Sequence, residues 1–390
     1  MAGAGTEVAV IGGGVVGCAV AHALARRGLA PLLLEAESEL ALGASGTNSG
    51  ILHTGFDSTP GELETRLILR AAELREELLG ELGVPVLRCG ARLSPTGEAQ
   101  LEAVRRLAAS AAGNGVAARL GEDGSLEVPG ESVTDPVAYV HALAAAAVSG
   151  GAQVRLGARV SGLDSSGGGG LRLTLSGGES VRASAVVNCA GLHADEIALA
   201  AGEEPVRIYP RKGEFLVFAA PAGVQLREIL LPVPSSLGKG VLVFPTLDGH
   251  VVAGPTARER EDKRDWSVEP DARELIMEKA VRMWPALSQA RQVGAYAGLR
   301  PAGRDANYVI EPSRTRDGLI HVAAIRSTGL SASLAIGEHV CAMLAASGVV
   351  EPGPERPLPV RSPVSPAAVR WWEHAARHRA GAIASEDRAK

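Results

Sequence analysis

The sequence predicts an α/β fold: a nucleotide-binding domain of strands and helices that wraps around an inserted, mainly antiparallel β-sheet domain. Three observations carry this. The N-terminal residues read as strand, glycine turn, helix and strand. From Val206 to Val293, short apolar runs such as "GEFLVF" and "GVLVFP" are separated by Gly and Pro turns, the pattern of an antiparallel sheet. The chain then returns to strand, glycine turn and helix, so the first domain is discontinuous.

The opening segment "EVAVIGGGVVGCAVAHALARRGLAPLLLEAE" sets the chemistry. Val8, Val10 and Ile11 form a short buried strand, and Gly12, Gly14 and Gly17 follow in GxGxxG spacing. In a Rossmann-like unit the first glycine permits a sharp turn, the second admits a pyrophosphate, and the third lets helix and strand pack closely. The helix N-terminus presents unpaired N–H groups to the phosphates. Gly28 closes the helix and "APLLLEA" forms the next strand, ending on Glu35, which lies where an acid accepts ribose hydroxyls. Dinucleotide binding follows, although the turn alone does not separate FAD from NAD.

Further elements come in order. Leu63, Leu67, Leu74, Leu78 and Leu82 give Glu62 to Gly83 a helical period. "VPVLRCGARLSP" reads as strand and Ala99 to Gly113 as helix. Asp135-Pro136 reads as an N-cap and first helical position of an alanine-rich helix to about Val148. "AQVRLGARVSGLD" and "LRLTLSG" read as a strand pair around the glycines at 167–170. Val186 to Asn188 reads as a buried strand entering a helix near Ala194, with small residues at the junction. A charged stretch, Arg258 to Asp265, precedes a helix at Ala272 to Met283, and a last helix spans about Ser331 to Leu344. The division is 1–83, 135–205 and 294–350 for the nucleotide-binding domain, 84–134 and 206–293 for the sheet domain, and 351–390 for a C-terminal extension. The tail "SEDRAK" is expected to fray.

Composition narrows the functional class. Apolar residues make up 46% and charged residues 21% of 390, which fits a globular rather than a disordered chain. Net charge is -5 with both signs interspersed, so no nucleic-acid partner is expected. Cys18, Cys89, Cys189 and Cys341 form no CxxC pair, which argues against a disulfide framework, a metal site or an iron–sulfur cluster. A cytoplasmic setting is expected. The N-terminus reads as a strand rather than a signal peptide. No apolar run comes near the roughly 20 residues that span a bilayer, so no transmembrane segment is expected, while peripheral membrane contact stays open.

Several stretches together resemble the D-amino-acid-oxidase-like (DAO) family of FAD-dependent oxidoreductases. They are "VIGGGVVGCAVAHALARRG", "GASGTNSGILHTG", "NCAG" with Asp195, "PRKGEF", "AGLRPAG" and "IRSTGLSAS". The likeness extends to about Ala346 and is nearest to the branch of glycerol-3-phosphate and L-2-hydroxyglutarate dehydrogenases. It implies FAD extended across the first domain, with its flavin at the interface with the sheet domain. Carried over, Gly12, Gly14 and Gly17 would hold the pyrophosphate and Glu35 the adenosine ribose. Ser45, Thr47, Asn48 and Ser49 would run beside the flavin. Ala190 and Gly191 would turn against the pyrophosphate, and Gly329, Leu330 and Ser331 would face the flavin pyrimidine edge. Arg300 matches an arginine that approaches the substrate's anionic group.

The resemblance departs in two respects. Glycerol-3-phosphate enzymes commonly carry an arginine just after the histidine-glycine turn, where this chain has Asp57 and Ser58. That stretch is nearer the 2-hydroxyglutarate enzymes, whereas "ILLPVPSSLGKGVLVFPTLDGHVVAGPTA" is nearer the glycerol-3-phosphate type. The sequence does not show the cysteine-rich extension of the anaerobic subunits, so electrons are expected to leave by another route, to oxygen, a quinone or a partner protein.

The expected reaction is oxidation of CH–OH in a small anionic substrate by hydride transfer to flavin N5. The first choice is sn-glycerol 3-phosphate. L-2-hydroxyglutarate or another 2-hydroxy acid is the alternative, and amine or amino-acid oxidation a further one. Outside catalysis, the alternative is a flavin-binding scaffold or electron-transfer subunit. His53 is the candidate base, a hydrogen bond to the flavin being its other reading. Arg300 is the candidate anion clamp, because a guanidinium matches carboxylate or phosphate. Arg326 precedes the flavin-facing turn and could reach flavin or substrate. Arg211, Lys212 and Lys239 are weaker candidates, as charged turn residues. His250 and His321 are expected to be structural.

Overall fold

The computed structural model describes residues 5–167, 169–234, 240–359 and 370–376. Lys239 and the tail lie outside them. The strand Gly5–Ile11 pairs in parallel with Leu32–Leu34 and Ser180–Asn188. Among the described residues this first sheet has eight strands, running from the antiparallel pair Val160–Ser165 and Leu171–Leu175 across to Gln153–Arg155. Leu319–Ala323 joins Ser180–Asn188 in parallel.

Successive side chains of a strand point to opposite faces, and Gly5–Ile11 is covered on both. Val8 and Val10 face the helices, packing with Cys18, Val20 and Leu24. Ala9 and Ile11 face the other side, with Leu171, Leu173 and Ile197. This two-sided burial is why the strand reads as an unbroken apolar run.

The helices follow the periodicity. Val15–Arg26, Leu63–Glu81, Glu98–Gly113, Pro136–Ser149 and Ala272–Met283 stand within a residue or two of expectation. Asp135 caps the fourth, its carboxylate accepting from the N–H groups of Val137 and Ala138, both at 2.9 Å. Gly329–Ser347 differs from the sequence reading. By length and composition alone it could cross a membrane, with mean hydropathy 1.4 over its best window. Its apolarity has a different cause: it packs between Val15–Arg26 and Leu63–Glu81, and 61% of that window is buried inside the protein.

A second sheet has nine strands among the described residues, centred on Ile208–Ala219. That strand pairs along its length with Arg291–Gly303. Residues 294–303, expected with the first domain, therefore stand in the second sheet. The error has a plain source: "AYAGLRPAG" looks like a strand followed by a glycine turn, whereas its glycines sit inside one long strand. Arg211 and Lys212, read as turn residues, also lie within Ile208–Ala219. Lys212 is wholly buried, its Nζ held by Asp265 at 2.8 Å, Ser267 at 3.0 Å and Glu269 at 3.5 Å. A buried ammonium persists only with such partners, so Lys212 is not free to bind a ligand.

A third, small sheet joins Ile51–Leu52, Ser132–Thr134 and Val86–Leu87. It carries distant sequence to the edge of the first domain and brings Glu131 beside His53. A helical segment at 371–376 docks on the second sheet, burying Trp371 and Trp372 with Tyr296 and Phe215.

Burial of His22 in the first helix lowers its imidazole to a pKa of about 4. Protonation is thus harder in the folded than in the unfolded chain, so stability falls as pH drops from about 6.5 toward 4. Denaturant unfolding at about pH 7.5 and pH 5 should show roughly 2 kcal/mol less acid destabilisation for His22→Phe than for the parent. Equal losses in both proteins would remove His22 from the account.

Candidate active site

One cavity of about 1350 Å³ runs from the end of the second strand, at Glu35, to the face of the second sheet. Its first part is the glycine turn. Gly12 has φ +107, and a Cβ there would lie 2.4 Å from the carbonyl oxygen of Cys189. A Cβ on Gly17 would lie 1.9 Å from the carbonyl oxygen of Gly12, while Gly14 meets only the Ser45 hydroxyl, at 3.1 Å. Gly12 and Gly17 thus allow backbone packing, and Gly14 leaves backbone open to the cavity. Glu35 accepts from the N–H of Gly13 at 2.5 Å and of Glu37 at 2.8 Å. A carboxylate has about four acceptor positions, which leaves room for hydroxyls.

Ala190 and Gly191 line the same cavity beside the turn, Gly191 with φ +56. Gly329 and Leu330 line it at the start of the long helix. Ser331 stands behind that wall. Its hydroxyl is buried and accepts from the N–H of His53 at 2.8 Å, so it holds the His53 backbone rather than facing the cavity.

The stretch Gly43 to Gly55 forms much of the lining. Ser45 accepts from the N–H of Val15 at 2.9 Å and so caps the first helix from another segment. The Thr47 side chain is buried and turns back to the carbonyls of Gly43 and Ala44. Asn48 accepts through Oδ1 from the N–H of Gly50 at 2.9 Å, and Ser49 accepts from the N–H of Ile51 at 3.3 Å. These side chains chiefly shape their own loop. The Asn48 carbonyl accepts from Tyr296 Oη at 3.1 Å and Trp371 Nε1 at 3.2 Å.

His53 ends the loop on the cavity wall, its side chain 25% exposed. Its Nδ1 lies 2.9 Å from Glu131 Oε2. Its carbonyl accepts from Arg75, which also reaches the carbonyl of Ser331. Glu131 and Arg75 were not found by sequence reasoning. Neither belongs to a pattern: Glu131 sits in a turn, and Arg75 occupies an ordinary position on an amphipathic helix.

Opposite stands the face of the second sheet. Arg300 and Arg211 are directly paired across Arg291–Gly303 and Ile208–Ala219. Both line the cavity, as does Arg326. The Nε of Arg300 donates to the carbonyl of Arg211 at 2.9 Å, and its Nη2 to the carbonyls of Lys212 and Thr256 at 3.2 and 3.0 Å. The two-nitrogen fork expected to grip an anion is therefore used by backbone, and Nη1 remains. Burial, then Arg211 and Arg326, lower the Arg300 pKa to about 10. Among the described residues, Arg211 and Arg326 have no hydrogen bond or ion pair from their side chains. Like charges directly opposite in a sheet are destabilising, and three clustered guanidiniums make this wall of the cavity strongly positive.

His250 and His321 do not line the cavity. His250 lies against Asp248 and Trp372. His321 lies between Asn188, at 3.1 Å, and Glu203, at 3.2 Å. Asp195 accepts from the N–H of Ile208 and pairs with Lys263 at 2.7 Å. It links the helix after "NCAG" to the second sheet.

A family model described as FAD dependent oxidoreductase, DAO, matches residues 7–343. The chain belongs to this family. It is 30% identical over 354 residues to a glycerol 3-phosphate dehydrogenase of Caloramator mitchellensis, covering 87% of this chain and 73% of that one. An L-2-hydroxyglutarate dehydrogenase of Escherichia coli K12 is 30% identical over 299 residues, covering 71% and 70%. The L-α-glycerophosphate oxidase of Mycoplasma pneumoniae, solved with FAD bound, superposes with a TM-score of 0.82 at 25% identity, covering 87% and 95%. The protein is an FAD-dependent oxidoreductase of the DAO family, and its cavity fits the cofactor. The open turn at Gly14 and the helix start suit a pyrophosphate, and Glu35 suits a ribose.

Glycine at the turn should be essential to loading. Gly12→Ala should purify with little or no flavin absorbance per chain, because its Cβ would meet the Cys189 carbonyl. Flavin content equal to the parent's would contradict the assignment.

Proposed function

We propose that the protein oxidises the CH–OH group of a small anionic substrate, with sn-glycerol 3-phosphate as first choice. The observation that carries this is the arginine face of the cavity: Arg300 and Arg211 opposite each other, with Arg326 nearby. A phosphate carries up to two negative charges and several acceptor oxygens, which suits separate guanidiniums better than one bidentate clamp. The resemblance to glycerol 3-phosphate dehydrogenase and oxidase agrees.

The chain's own groups would then divide the work. Arg300 Nη1, Arg211 and Arg326 would bind and orient the anionic end, which fixes where the alcohol carbon sits. His53 Nε2, on the ring edge away from Glu131, would take the hydroxyl proton. FAD, when bound, supplies the hydride acceptor. Glycines in the loop and at Gly298, where a Cβ would lie 2.5 Å from the Thr47 carbonyl, let loop and sheet close on the cavity.

L-2-hydroxyglutarate is the second reading. Asp57 and Ser58 line the cavity where glycerol-3-phosphate enzymes commonly carry an arginine, and the Escherichia coli relative acts on that substrate by name.

Anaerobic mixing of the yellow protein with a panel of compounds tests these readings. Glycerol 3-phosphate should bleach the flavin at the lowest concentration, with 2-hydroxy acids weaker and amino acids inert. Bleaching by 2-hydroxyglutarate alone would move the assignment to the second reading, and bleaching by amino acids alone would overturn both. Arg300→Ala should weaken substrate binding by roughly 2–5 kcal/mol, tens- to thousands-fold in dissociation constant. An unchanged constant would remove Arg300 from the site.

A further inference from the structure

We propose that Glu131 is a positioning residue for His53: its buried carboxylate takes the Nδ1 proton of the ring and leaves Nε2 bare toward the cavity. The inference rests on the reading of His53 as base and adds what makes it one.

Glu131 has no exposed side-chain surface. Burying a carboxylate is costly unless its oxygens are satisfied. Here each oxygen has named donors. Oε1 accepts from the N–H of Thr54 at 2.7 Å and from its hydroxyl at 2.9 Å. Oε2 faces His53 Nδ1 at 2.9 Å. An ionised carboxylate only accepts, so the hydrogen on that contact belongs to the ring, which makes the neutral tautomer Nδ1–H. The opposite nitrogen then carries a lone pair on the edge of a ring that lines the cavity.

The frame around the pair is built for orientation. Ser331 holds the His53 N–H, Arg75 holds its carbonyl, and the small sheet fixes Glu131 from behind. A general base needs its free nitrogen aimed at the hydroxyl, and a carboxylate on the other nitrogen also stabilises the imidazolium once the proton arrives. The charged or titratable groups that act on the pair are Arg75 from Leu63–Glu81 and Cys89 ahead of Ala91–Leu93, while Asp57, Arg211, Arg300 and Arg326 line the cavity that His53 also lines. Burial pushes the Cys89 thiol up to about 11, so it is neutral near pH 7.

Two measurements test this. In the holoprotein with ¹⁵N-labelled histidine, the His53 signal, assigned by its loss in His53→Gln, should show a protonated Nδ1 and a bare Nε2 above neutral pH. An Nε2–H tautomer would overturn the proposal, and this result needs neither a known substrate nor a mutant that folds at position 131. In Glu131→Gln the amide can donate to Nδ1 and drive the proton to Nε2. Flavin reduction should slow on the order of 100-fold while the substrate dissociation constant stays within about threefold. Glu131→Asp should recover part of the rate. A Glu131→Gln rate within about threefold of the parent would overturn the proposal. If no substrate reduces the parent flavin, the reading of function fails while the tautomer result still decides this one.

Discussion

The Asn48 carbonyl is the joint on which the site depends. It belongs to a loop of the first domain, yet it accepts from Tyr296 in the second sheet and from Trp371 in the C-terminal segment. Three separate parts of the chain meet at one oxygen. Two residues on, the Gly50 carbonyl accepts from the N–H of Thr134, and the strand Ile51–Leu52 delivers His53 to the cavity wall. Loosening this joint would displace the loop, and with it the histidine. Phe215 stacks on Tyr296 with ring centroids 4.8 Å apart, which fixes the donor hydroxyl.

Charge arrangement supplies the other constraint. The second sheet resolves most of its buried charge internally: Lys212 with Asp265 and Glu269, and Glu214 with Thr256 and Arg258. Arg211, next to Lys212 on its strand, and Arg300, paired across from it, are left on the cavity wall. Among the described residues, Lys212 is fully paired while these arginines have no carboxylate partner, which leaves uncompensated field at one place. Such fields occur where a ligand of opposite sign completes them.

The sequence was most legible where backbone geometry restricts residue choice. Gly12 and Gly17 are glycines because a Cβ would overlap backbone, and Asp135 precedes Pro136 because a helix starts there. Period-based readings placed helices for the same local reason. What failed was long-range. Glu131 lies 78 residues from His53, and only a three-stranded sheet brings them together. No local pattern marks a buried acid, since its burial depends on donors from Thr54. Gly298, within a strand, is a glycine because a Cβ there would lie 2.5 Å from the Thr47 carbonyl, a contact its local sequence does not show. Ser331 looked like a cavity residue because it follows Gly329, but one helical position turns it to the back of the wall. Gly329–Ser347 is largely apolar because helices flank it, a fact its own sequence does not state.

In the proposed division of work, the arginine face would hold the substrate and His53 would remove its proton. Anaerobic single-turnover mixing of His53→Asn holoenzyme with glycerol 3-phosphate tests it most directly, since binding and reduction are then read from the same flavin spectrum. The expected result is a dissociation constant within about threefold of the parent and a reduction rate lower by on the order of 10²–10⁴. Reduction at the parent rate, or loss of binding with the rate unchanged at saturation, would contradict it.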